Sequence, residues 1–100
     1  MDPDNEGLQI SDVVISKAGR DAGSCFYVVA VEDAYVFLAD GKGRTLDKPK
    51  RKKRRHIEKV LRSETRVAEK LRSGDKVLNG ELRRDLASLC RGMQAENRGG

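Results

Sequence analysis

Seven of the eight residues from Lys48 to Arg55 are basic, and the chain's single histidine, His56, follows them. The chemistry open to Lys48, Lys50, Arg51, Lys52, Lys53, Arg54 and Arg55 is electrostatic. A cation that neutralises a phosphate releases a condensed counterion, so a dense polyphosphate is the favoured ligand. Of the 21 Lys and Arg, seven lie in this cassette, leaving fourteen against 16 Asp and Glu elsewhere; the net charge is +5. Charge used only for solubility is spread over a surface with both signs mixed. Pro49 fixes its own φ and stiffens the entry to the run, which favours presentation over random coil. Two plain alternatives stand beside this reading: a solvated run that binds nothing specific, and a nuclear import signal, for which basic runs of this length also serve.

Other chemistries lack their residues. One histidine and two distant cysteines, Cys25 and Cys90, do not make a zinc site, and the cysteines read as ordinary reduced thiols. Gly41-Lys42-Gly43 is not a phosphate-binding Walker loop, and no G-x-S-x-G occurs. The expectation is a protein that is not an enzyme and takes no cofactor and no small-molecule substrate. The stretch from Met1 to Glu6 is acidic and does not read as a secretory signal. The longest apolar run, Cys25 to Val31, is too short to span a bilayer. A cytoplasmic protein without a membrane partner, monomeric when free, is expected.

The elements that must position the cassette are short. Aromatic residues make up 4% of the chain and Trp is absent, so no large core is expected. Ile10 and Val13 to Ile15 predict a first strand. Lys17 to Gly23 is a polar loop with two glycines. Cys25 to Val31 and Tyr35 to Ala39, rich in aromatic and β-branched residues, predict two more strands, with Glu32-Asp33 turning between them. Asp40-Gly41-Lys42-Gly43 predicts a hairpin turn into a short strand at Arg44-Thr45-Leu46. His56 to Val60 alternates and would close the sheet. Short strands with tight turns predict a small barrel, which leaves no free edges. Ser63 is placed to cap a helix over 64–72 that ends at Ser73-Gly74, and Asn79 to cap a second. Leu78, Leu82, Leu86 and Leu89 form one stripe of that second helix, to pack on the barrel or sister helix or to face a partner.

The segment from Ser11 to Val29 resembles a KOW motif: a strand, a glycine-containing loop and a second apolar strand. The continuation through Leu38-Ala39-Asp40-Gly41, Arg44 to Lys50 and Lys53-Arg54-Arg55-His56-Ile57 is similar to the ribosomal protein L14e group and to short bacterial stand-alone KOW proteins. The resemblance covers roughly residues 10–61. It implies an SH3-like β-barrel and RNA binding, with ribosomal RNA as the natural target. Carried over by it are Ala18, Gly19, Arg20, Asp21 and Gly23 of the loop, Arg44, and the stretch from Pro49 to His56. Ala22 departs from the pattern, standing where many relatives have Lys.

The expected organisation is a mainly β chain: a disordered start over 1–9, an SH3-like barrel over 10–61 with the basic cassette at 48–56, a helical extension over 62–92 and a disordered tail over 93–100. The expected RNA-binding set is Lys17, Gly19, Arg20, Gly23, Arg44, Lys48, Lys50, Arg51, Lys52, Lys53, Arg54, Arg55 and His56. Glycines 19 and 23 let the loop bend tightly toward a flat ligand, and Arg20 projects from it to stack on a base or grip a phosphate. Asp21 is placed to brace Arg20, and Tyr27, Tyr35 and Phe37 to fill a core, with base stacking as the other reading of Tyr35. A second reading makes the chain a protein-interaction module of the transcription or translation machinery. Ribosomal or polymerase proteins would then be partners, with the leucine stripe as docking face.

Overall fold

The two segments richest in β-branched and aromatic residues become the central strands. The structure, a computed structural model, describes residues 7–90 with their side chains and residues 91–99 as helical backbone. Strand β1 is Asp12–Ser16, β2 Cys25–Val31, β3 Tyr35–Ala39, β4 Lys50–Lys53 and β5 Ile57–Arg62. All neighbours are antiparallel, in the order β4-β3-β2-β1-β5. The expected closure does not occur among the described residues. The sheet is open, with β4 and β5 at its two edges, and a 3-10 turn at Arg54–His56 joins those edges. The last strand pairs with β1, as far from β4 as the sheet allows.

The strand expected at Arg44-Thr45-Leu46 is absent, because side chains occupy its backbone donors. The Asp40 carboxylate accepts from the backbone N–H of both Lys42 and Arg44, each at 2.9 Å. The N–H of Leu46 goes to Asn79 Oδ1 at 2.8 Å. A ladder cannot form where its N–H groups are already bonded. The edge strand forms instead at Lys50–Lys53, inside the basic cassette.

Period-two alternation divides the apolar residues between two cores. Val14, Phe26, Val28, Val36 and Leu38 face one side with Leu8 and Ile57. Val13, Tyr27 and Ala39 face the other, under the two helices. Leu8 corrects the expectation of a disordered start through residue 9. It is buried, and the Gln9 N–H donates to Asp12 Oδ2 at 2.8 Å. Residues 1–6 lie outside those described, as do the side chains of the tail expected over 93–100.

Helix α1 is Arg66–Ser73 and α2 is Asn79–Gly99. Thr65, not Ser63, caps α1; its hydroxyl accepts from the Ala68 N–H at 3.2 Å. Ser63 is buried and its hydroxyl is hydrogen-bonded to the Tyr27 hydroxyl at 2.8 Å. Leu82 and Leu86 are buried against the sheet and Leu89 packs beside them, while Leu78 is 56% exposed. The stripe therefore belongs to the core, and the helices are not an appendage.

Tyr27 ties these layers together. Its hydroxyl lies among Ser63, Thr65 and Asp85, and Thr65 Oγ1 donates to the same Asp85 oxygen at 2.8 Å. Burial, then the hydrogen bond to Asp85, pushes the phenol up to about 12. A folded-state value raised above the ordinary 10.0 gives stability that is complete below pH 10 and lost as pH rises through about 12. We expect Tyr27→Phe to remove that alkaline loss from a series of urea titrations, and to lower stability at neutral pH by about 1–3 kcal/mol by stranding the buried partners.

Candidate nucleic-acid interface

A strand of sequence Lys-Arg-Lys-Lys has no apolar face, so β4 takes its alternation from β3. Lys50 lies opposite Leu38 and Lys52 opposite Val36, both buried residues; Arg51 lies opposite Phe37 and Lys53 opposite Tyr35. Residues directly opposite share a face. The cassette is thus divided between two sides of the sheet.

Lys52 goes inward and is only 8% exposed. Its Nζ donates to Asp21 Oδ1 and to the Ala18 carbonyl, both at 2.7 Å. Lys50 Nζ stands 3.4 Å from the other Asp21 oxygen. Burial pushes the Asp21 carboxyl up. The hydrogen bonds from Lys52 and Ser16 and the charges of Lys52 and Lys50 outweigh it, holding the group at about 2. Two expectations change here. Lys52 is not available to a phosphate, because folding has engaged it. Asp21 braces β4, not Arg20. Gly19, at φ +85°, sits over this pair, and a Cβ there would be 3.4 Å from Lys52 Nζ. The glycine serves the approach of loop to strand.

Six of the remaining cations of the expected set line two clefts. The first, about 530 Å³, joins Arg20, Arg44 and Lys50 with Phe26, Ser24 and Asp40. It brings the glycine loop and the loop after β3 to one end of β4. The second, about 440 Å³, lies at the other end of β4 and is lined by Ala34, Tyr35, Lys53, Arg54 and Arg55. Beside it the Arg51 guanidinium lies over the Tyr35 ring, 3.8 Å from its centroid, with Nε 3.7 Å from Glu32 Oε1. Arg54 is half-buried; its Nε and Nη2 donate to the Glu32 carbonyl at 3.1 and 2.7 Å. Arg54 therefore fixes the turn before β3.

Lys17 and Lys48 are exposed but line neither cleft, and Gly23 meets nothing within 4 Å of a built Cβ. His56 is half-buried, and its carbonyl accepts from the Lys17 N–H at 2.8 Å. Sequence reasoning missed Glu32, and it favoured a core place for Tyr35 over base stacking. The offset of Tyr35 and Phe37 from buried Val36 and Leu38 is the signal that separates them.

Cys25 and Cys90, distant in sequence, line a third cavity of about 320 Å³ with Lys42 and Arg83. Burial, reinforced by the neighbouring Cys25 thiol, pushes Cys90 up to about 12, so it is a thiol at neutral pH. Among the described residues no three of His, Cys, Asp and Glu are grouped as metal ligands, and no helix is long and apolar enough to cross a membrane. No family model matches this chain, and no curated protein matches it in sequence.

Proposed function

We propose that this chain is an RNA-binding protein of the KOW kind, its sheet an SH3-like barrel in outline, acting on ribosomal RNA or a ribosome assembly particle. The observation that carries this reading is the set Arg20, Arg44, Lys53 and Arg55. All are exposed, and none makes an ion pair among the described residues. All of them border the two clefts at the ends of β4. Surface cations left unpaired in a chain with 16 carboxylates favour an external anion. The adjacency of the first and last strands, and the single 3-10 turn between β4 and β5, support the SH3-like outline. The protein-interaction reading loses its docking face, since Leu82 and Leu86 are buried within the chain's own core.

The test is the salt dependence of binding to a ribosomal RNA fragment. Wild type should show a log–log slope of magnitude about 3–6, and Arg51→Ala with Lys53→Ala and Arg55→Ala should reduce it by about 2–3. Lys76→Ala, a single-charge control outside β4, should leave it essentially unchanged. An unchanged slope in the triple variant would mean that the cassette does not touch RNA. Crosslinking in cells, with sequencing of the attached RNA, would identify the target.

A further inference from the structure

We infer that the Tyr35–Arg51 pair is a stacking slot for one unpaired base of a bound RNA strand. The inference rests on the RNA-binding reading and names the form of RNA. Arg51 and Lys53 share the outer face of β3 and β4 with Phe37 and Tyr35. Ala30, opposite Phe37, extends that face onto β2. Both aromatic residues are half-buried and belong to neither core. The sheet thus displays two rings outside its packed layers, flanked by cations.

The guanidinium of Arg51 is the element of the slot that faces outward. One face rests on Tyr35, and Glu32 lies at its edge. The side chain nevertheless remains 57% exposed. A planar cation immobilised on a ring has lost its rotamer freedom before any ligand arrives, so its free face is ready for another flat group. Bases stack on aromatic rings and on guanidinium planes alike, provided they are unstacked from their neighbours. The adjacent cleft, with Lys53 and Arg55 exposed at its wall, is placed to take the phosphate beside that base. A duplex keeps its bases stacked inside and offers this slot only phosphates.

Two probes separate stacking from bulk charge: a single-stranded RNA carrying 2-aminopurine and a fully paired duplex of equal length. Both are titrated with the full chain at one fixed salt concentration. Arg51→Lys keeps the charge and removes the plane. Tyr35→Leu removes the ring beneath it. Each should weaken single-strand binding about 5–20-fold and abolish quenching of the 2-aminopurine, with duplex binding and salt slope unchanged. Thermal unfolding of Arg51→Lys should match wild type, since the side chain is exposed. Equal losses on both probes, or none on either, would overturn the slot while salt-dependent RNA binding persists. Failure of wild type to bind either probe would overturn the slot together with the reading beneath it. A preference for an aromatic or proline-rich peptide over both RNAs would also overturn it.

Discussion

Lys52→Met should lower the free energy of unfolding by about 2–3 kcal/mol, whereas Lys53→Met, one residue along the same strand, should change it by less than about 0.5 kcal/mol. The contrast follows from the pleat. Lys52 is 8% exposed and bonded to Asp21 and the Ala18 carbonyl, while Lys53 faces solvent. Removing the lysine leaves a carboxylate 18% exposed with the Ser16 hydroxyl at 2.9 Å and Lys50 as its one nearby cation at 3.4 Å, and leaves the Ala18 carbonyl without this partner. That cost exceeds the transfer gain of the methionine. Acid should reproduce part of the effect in wild type. The Asp21 value is depressed from 3.8 to about 2, so its contribution is complete above pH 4 and disappears as pH falls through about 2. Urea midpoints of the two variants at neutral pH, with a pH series on wild type, decide the matter. Equal losses for Lys52→Met and Lys53→Met would show that the inward lysine does not support the fold.

Gly41→Ala should cost more, about 3–5 kcal/mol. The residue sits at φ +79°, where a side chain is strained, and its missing Cβ faces the first turn of α2. A Cβ there would meet the Asn79 carbonyl oxygen, lie 2.9 Å from Arg83 N and 3.2 Å from Arg83 Cβ. Two of these neighbours are backbone, so relief requires α2 to move away from the sheet. That movement loosens Leu82 and Leu86, which are buried, and strain and repacking costs add. Gly43→Ala in the same loop meets nothing within 4 Å and should be close to neutral. Calorimetric unfolding of the two variants gives the comparison, and matching midpoints would sink the prediction.

These two sites show where the sequence was legible and where it was not. Cys25–Val31 and Tyr35–Ala39 were readable because composition and local pattern agree with the final pairing. The stripe from Leu82 to Leu89 was readable because helix periodicity survives in an exposed, charge-rich segment. The strand at Lys50–Lys53 was not, since four consecutive cations carry no alternation of their own. Its inward face comes from pairing with β3, and Asp21, some thirty residues earlier in the chain, meets Lys52 there. Arg44-Thr45-Leu46 looked like a strand because propensity does not see a carboxylate or an amide borrowing its N–H groups. Ser63 looked like a helix cap until the Tyr27 hydroxyl claimed it. The clefts share that origin: Arg20, Arg44 and Lys50 come from three segments and meet only once the sheet is paired.

The buried hydroxyl of Tyr27 also governs how the molecule breathes. Its partners come from the segment between β5 and α1 and from α2, so lifting either helix exposes polar groups that have no substitute inside. Partial opening there is therefore penalised, and the sheet and helices should exchange their amides as a single cooperative unit. The loops bearing Arg20 and Arg44 are tied to that unit, the first through Asp21 to Lys52 and the second through the Leu46 N–H to Asn79 Oδ1, so both cations are held on an ordered frame before a ligand arrives.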